Sequence, residues 1–185
     1  MDSTIELVDV RQAVDPFFAD VRLLLETAFP PDERPVLDDA RLARPGFHLL
    51  AVLSGGRFAG FHSHWDLGDF VFCEHVAIID GMRGCGLGAI VDGTVARRLR
   101  GRRLVGEVEL PDTEIARRRI ALWERCGWNV NRRPYLQPAY APGKSPVPML
   151  LISRPGPLDA REFVRASDRI HRDVYRVAPI AAPSP

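Results

Sequence analysis

Residues Glu74 to Arg97 read EHVAIIDGMRGCGLGAIVDGTVAR, and this stretch decides the fold. An apolar, β-branched run leads into an arginine and three alternating glycines, after which apolar residues recur at helical spacing. Gly84, Gly86 and Gly88 remove Cβ atoms from the turn. Successive backbone N–H groups can then point at one anion, and the helix that follows adds the positive end of its dipole. Arg83 supplies a forked, permanent charge beside them. The combination reads as a cradle for a pyrophosphate, with an unliganded glycine-rich turn as the plain alternative. A dinucleotide fingerprint would need G-x-G-x-x-G near the start of a βαβ unit and an acidic residue about 20 residues further on. The spacing here is G-x-G-x-G, and several strand-like segments precede it.

At 185 residues the chain suits one core that needs neither disulfide nor metal. Lys+Arg 25 against Asp+Glu 24 leaves a net charge of +1, which argues against a nucleic-acid binder with a broad basic footprint and for a small-molecule partner. Cys73, Cys85 and Cys126 are odd in number and lack CxxC spacing, so a disulfide framework and a zinc site are both unexpected and a reducing cytoplasm fits. The N-terminal MDSTIELVDV lacks a basic segment followed by an apolar one, and no run approaches the roughly 20 apolar residues of a membrane span. Neither export nor a membrane partner is expected.

Periodicity and turn residues set out the elements. Thr4 to Val10 alternates as a strand, and Pro16 to Ala28 repeats apolar residues at helical spacing until Phe29-Pro30-Pro31 stops it. Asp38 to Ala43 reads as a short helix. Phe47 to Leu53 and Arg57 to His64 read as strands around Ser54-Gly55-Gly56, and Phe70 to Ile79 as the longest strand. Helices are expected over Leu87–Leu99 and Thr113–Arg125, the second ending at Gly127, with strands over Leu104–Leu110 and Val147–Ile152. Beyond Pro155-Gly156-Pro157, Asp159 to Tyr175 is amphipathic with Phe163, Val164, Ile170 and Val174 toward one side, and Ala178 to Pro185 reads as a loose tail.

Arg83-Gly84-x-Gly86-x-Gly88-Ala89 after a strand resembles the loop of the GNAT acyltransferases, which move acyl groups from coenzyme A to amines. The order of elements over residues 4 to 153 is similar to theirs. The resemblance implies an α+β fold, a mixed and mostly antiparallel central sheet flanked by helices, with an added C-terminal helix. The division it implies is an acyltransferase domain over 1–154 and an appendage over 155–185, packed on its own domain or on a second subunit of a homodimer. Acetyl-CoA would be the co-substrate, with no metal. Arg83, Gly84, Cys85, Gly86, Leu87, Gly88 and Ala89 would hold its pyrophosphate. The backbones of Val76 and Ile78 would pair with the pantetheine arm, as an added strand does.

Acylation of an amine needs a base, because an alkylammonium of pKa about 10 is not nucleophilic. Glu74, inside the apolar VFCEHVAII, stands where several GNAT families carry that base. Trp123 takes the place of the tyrosine that many members use to protonate the leaving thiolate, and Ala116 that of an asparagine near the cofactor. Tyr140, in RRPYLQPAYAPGK after the helix, is the candidate acid. Tyr135 is expected as a substrate contact in the same loop; either tyrosine could take either role, and an aromatic anchor for the proline-rich loop is the plain alternative. Glu33 and Arg34 in FPPDERP, with His62 and His64 on one strand face, complete the acceptor side. His75 on the next strand would make a metal site only with ligand spacing that is not present. The function implied is acetyl transfer to a primary amine of a small molecule. A protein amine, a non-catalytic acyl-CoA-binding module and, least favoured, a dinucleotide oxidoreductase are the alternatives.

Overall fold

The computed structural model describes residues 4–179, so the expected tail lies outside the described residues from 180 onward. Seven strands form one sheet of order β1-β2-β3-β4-β5-β7-β6. They are β1 Ile5–Val10, β2 Phe47–Ser54, β3 Arg57–Asp66, β4 Phe70–Ile78, β5 Arg103–Glu109, β6 Asn129–Gln137 and β7 Val147–Arg154. The helices are α1 Phe18–Ala28, α2 Asp39–Leu42, α3 Leu87–Arg98, α4 Glu114–Arg125 and α5 Ala160–Ile170, the last continuing into a π-helical turn over His171–Tyr175. The pairs β1–β2, β2–β3, β5–β7 and β6–β7 are antiparallel. With these elements the chain has the expected α+β, mostly antiparallel architecture.

Two compact units divide the described residues. One runs up to Asp66 and includes Cys73–Gly101; the other holds Leu67–Phe72 and the residues from Arg102 onward. In the first, α3 lays Leu87, Val91 and Val95 on Val52, Ala59 and Ile78 of the sheet, which fixes where the helix begins. Gly60 lets β3 come close to β4: a Cβ there would sit 2.2 Å from the Ala77 carbonyl oxygen.

In the second unit, α5 buries Phe163, Ala166 and Ile170, and the turn after it buries His171, Val174 and Tyr175. Val164, expected on that face, is 56% exposed; the buried stripe follows i, i+3, i+7, one residue off its position. The amide of Leu158 donates to Asn131 Oδ1 at 2.7 Å, and Asp159 and Glu162 form a capping box at the start of α5.

Two further expectations are corrected. The longest strand is β3, of 10 residues, against 9 for β4. The segment carrying Tyr135, expected as a loop, is strand β6, and its partner is β7. Pro134 in NVNRRPYLQ argues against a central strand, but β6 is the last strand in the order, and its register shifts between Asn131 and Tyr135. Proline is tolerated at such a place because no ladder bond is asked of it.

Candidate active site

In the first unit β4 ends at Ile78, and a single 3-10 turn over Asp80–Met82 leads to Arg83. Gly84 and Gly86 both have φ of +81°, a left-handed conformation that costs an L side chain roughly 1–2 kcal/mol. Gly88 has an ordinary φ. A Cβ at any of the three would meet no protein atom within 4 Å, so the space above the turn is open. Gly86 is the N-cap of α3, and the first turn carries neither a side-chain cap nor a carboxylate. Its amides and dipole are therefore presented as an anion site without a competing acid. Arg83 is tethered by Nε to the Ile78 carbonyl at 2.9 Å, and Nη1 lies 2.6 Å from the exposed Asp80. Cys85 is exposed and Leu87 buried. Donors, cation and open space fit a pyrophosphate.

Glu74 lies deeper in β4, its side chain 0% exposed. Arg41 Nη2 reaches Oε1 at 2.6 Å and Oε2 at 2.7 Å, and Trp65 Nε1 donates to Oε2 at 3.1 Å. The Arg41 guanidinium also lies over the rings of Phe47 and Trp65, 5.0 and 5.2 Å from their centroids. Burial pushes the Glu74 pKa up, but the charge of Arg41 and the hydrogen bonds of His75 and Arg41 outweigh it and hold the carboxyl well below the usual range. A carboxylate so stabilised is a weak proton acceptor by itself. His75 sits 2.9 Å from the Glu33 carbonyl oxygen through Nε2, which must carry a proton to donate there, and its ring packs edge-on to Phe29 at 4.7 Å. Adjacent residues of β4 thus fasten α2 and the 31–33 turn.

The expected acceptor contacts have other engagements. Arg34 Nη1 donates to the Glu26 and Phe29 carbonyls and caps the C-terminus of α1. His62 and His64 share a face, as expected, with ring centroids 5.3 Å apart, but both are buried, and His48 stacks on His64 at 4.8 Å. Burial, then the charge of His48, lowers the His64 pKa to about 4, so it is neutral.

The second unit collects tyrosines around a residue not singled out from sequence, Glu107 of β5. Tyr135 of β6 donates its hydroxyl to Oε1 and Tyr175 of the C-terminal turn donates to Oε2 at 2.8 Å. The hydroxyls of Tyr175 and Tyr140 are 3.3 Å apart and their rings pack at 4.8 Å. Tyr135 is buried, and its phenol is pushed well above its ordinary pKa by burial and then by the Glu107 charge. The arginines near the helix ends make contacts within the protein: Arg98 with Asp9, Arg103 with Glu162, Arg119 with Glu109. Trp123 packs edge-on to Trp128 at 6.4 Å. Among the described residues no group of His, Cys, Asp and Glu is arranged to hold a metal ion, and no helix is long and apolar enough to cross a membrane.

A protein-family model described as the acetyltransferase (GNAT) family matches residues 13–128. The chain belongs to the GNAT acetyltransferase family. A GNAT-family protein from Bacteroides thetaiotaomicron, assigned as an acetyltransferase, is similar in structure at a TM-score of 0.83 and 28% identity, over 94% of this chain and 99% of that one. The ribosomal-protein-S18-alanine N-acetyltransferase of Escherichia coli shares the fold at a TM-score of 0.58 and 16% identity, over 85% and 97%. A GNAT acetyltransferase from Elizabethkingia anophelis with acetyl-CoA bound does so at 0.56 and 15%, over 83% and 98%. A search of curated proteins found no match by sequence.

Within this GNAT chain, the side chains missed from sequence are Arg41, Glu107, His171 and Tyr175. Arg41 gives no local signal, since its partner is 33 residues away. Glu107 and Tyr175 had one each: a carboxylate between apolar neighbours in LVGEVEL, and an aromatic closing the apolar stripe of α5.

Proposed function

We propose that the protein transfers an acetyl group from acetyl-CoA to a primary amine of a small molecule. The observation that carries this reading is the glycine turn with φ of +81° at Gly84 and Gly86, opening an uncapped helix beside Arg83. Arg83 through Ala89 would hold the pyrophosphate. The backbone of Val76 would pair with the pantetheine, and that of Ile78 to the extent that its carbonyl, which accepts from Arg83, allows. The ammonium first gives one proton up to solvent; the neutral amine nitrogen then bonds to the thioester carbon, the C–S bond breaks, and the second proton that the nitrogen sheds balances the one that the leaving thiolate takes up. Tyr140 is the proton-handling side chain in this reading, and Glu74 holds Arg41 and the shape of β4. A small acceptor is supported by the fastened loops: Glu33 is tied to His75, and Tyr140 lies against Tyr175.

The test measures thiol release from acetyl-CoA with a panel of small amines and peptides, together with thermal protection by coenzyme A. Saturating cofactor at about 100 times Kd should contribute roughly 2.7 kcal/mol. Arg83→Ala should weaken coenzyme A binding by about 10–100-fold, since one charge-assisted contact is worth roughly 1.5–3 kcal/mol. No protection by coenzyme A, or protection by a dinucleotide instead, would overturn the assignment. Protection without turnover on any amine would favour a binding module.

A further inference from the structure

We propose that the outward face of α5 is a contact between two copies of this chain, paired antiparallel about a two-fold axis at Val164 and Arg165. The inner face of the helix is taken, since Phe163, Ala166 and Ile170 are buried. The outer side borders a groove of about 630 Å³ within the second unit, walled by Asp69 and Phe70 on one side and by Val164, Arg165 and Asp168 of α5 on the other. Val164, at 56% exposure, is an apolar residue that the protein's own core leaves outside.

Charge identifies the occupant. Arg161, Arg165, Arg169 and Arg172 all line the groove. Three of them have acid partners within the chain: Arg165 lies 3.9 Å from Asp69, and Arg169 and Arg172 both bond to Asp173. Arg161 acts on Asp159, and Asp168 on His171, only through space. Among the described residues the side chains of Arg161 and Asp168 make neither an ion pair nor a hydrogen bond. An acidic peptide would find most of the arginines already neutralised and Asp69 and Asp168 in its way. A second α5 brings both signs.

The two residues are placed to complement themselves. Positions 161 and 168 are separated by about two turns, or about 10.5 Å along the axis, and fall within roughly 20° of one line on the helix. Val164 and Arg165 flank that line midway. When another α5 crosses antiparallel, centred between these two, Arg161 of each copy meets Asp168 of the other, as an isologous contact requires. Val164 then covers the aliphatic stem of the other copy's Arg165, whose guanidinium is turned to Asp69. Arg169 falls opposite Ala160, and Arg172 opposite Pro157, so no two arginines oppose one another. Sliding the second helix one turn forward would set Arg161 against Arg172; sliding it one turn back would leave both pairs unmade. The C-terminal helix thus packs on its own unit by one face and on a second copy by the other. A contact carried by one helix pair belongs to the small interfaces, below about 1,200 Å² in total, so the association is reversible and weak.

The experiment is sedimentation velocity on the full chain from about 1 μM to about 1 mM, a range that covers weak association. The variants are Arg161→Asp, Asp168→Arg, the two changes combined in one chain, and an equal mixture of the two single variants. The wild type is expected to dimerise within the range. Each single reversal sets like charges opposite each other twice and should weaken self-association by about 100-fold or more. The combined swap should restore the dimer, and the mixture should form a heterodimer, because a chain with two acids there meets a chain with two arginines. Both reversals suit the helix dipole, with acid in the first turn and arginine in the last, so the variants should melt no lower than the wild type. The wild-type dimer should also weaken by about 10-fold on raising salt from roughly 50 mM to roughly 500 mM, a measurement that needs no variant. A wild type that stays monomeric would overturn the proposal and leave the groove to a partner of other chemistry. A dimer indifferent to salt and to both reversals would overturn it by placing the contact on another surface.

Discussion

A carboxylate with no exposed atom has to be held by something, and in β4 the holder is Arg41. Each group of such a pair is costly alone, because the partner left behind is an uncompensated buried charge. Arg41→Ala is therefore expected to cost about 3–5 kcal/mol, read as a fall in the denaturation midpoint; a loss under about 1 kcal/mol would mean that water reaches the carboxylate. His64 makes a second prediction. Its value of about 4 in the folded protein lies below the 6.5 of an ordinary histidine, chiefly through burial, so protons bind the unfolded chain more readily. Its contribution is intact above pH 6.5 and is lost as pH falls toward 4, by about 3 kcal/mol in the limit. His171, lowered by burial as well, adds in the same direction. Glu74, held far lower, weakens the fold only at still more acid pH. Stability measured between pH 7 and 4 should decline less steeply in His64→Asn than in the wild type; equal slopes would refute the assignment.

At the scale of elements, what could be read was whatever the chain states locally. The alternation in β1 to β5, the proline stop after α1 and the glycine turn before α3 are each written within ten or so neighbouring residues. Strand β6 is not, because Pro134 and the exposed Arg132 and Arg133 break its alternation, and only pairing with β7 restores it. The candidate site divides in the same way. The cofactor loop was legible because glycine geometry is local. The partners of Glu74 and Tyr140 were not, since Arg41 and Tyr175 arrive from 33 and 35 residues away. The amphipathic pattern of α5 foretold a buried face but placed Val164 on it, an error of one residue in a 100° step.

For the whole molecule, the strand order leaves β1 and β6 as the two ends of the sheet. At β6 the exposed run Arg132-Arg133-Pro134 coincides with the register shift, combining two charges, a missing N–H and a local twist. An edge so built offers a poor template to another chain. Replacing Arg133 and Pro134 together by valine is expected to give concentration-dependent aggregation by light scattering, while a variant that stays monodisperse would mean that another feature guards the edge. The missed strand thereby acquires a meaning for solution behaviour: growth by sheet extension is blocked at this end, and copies that associate there must meet through side chains rather than through shared backbone ladders.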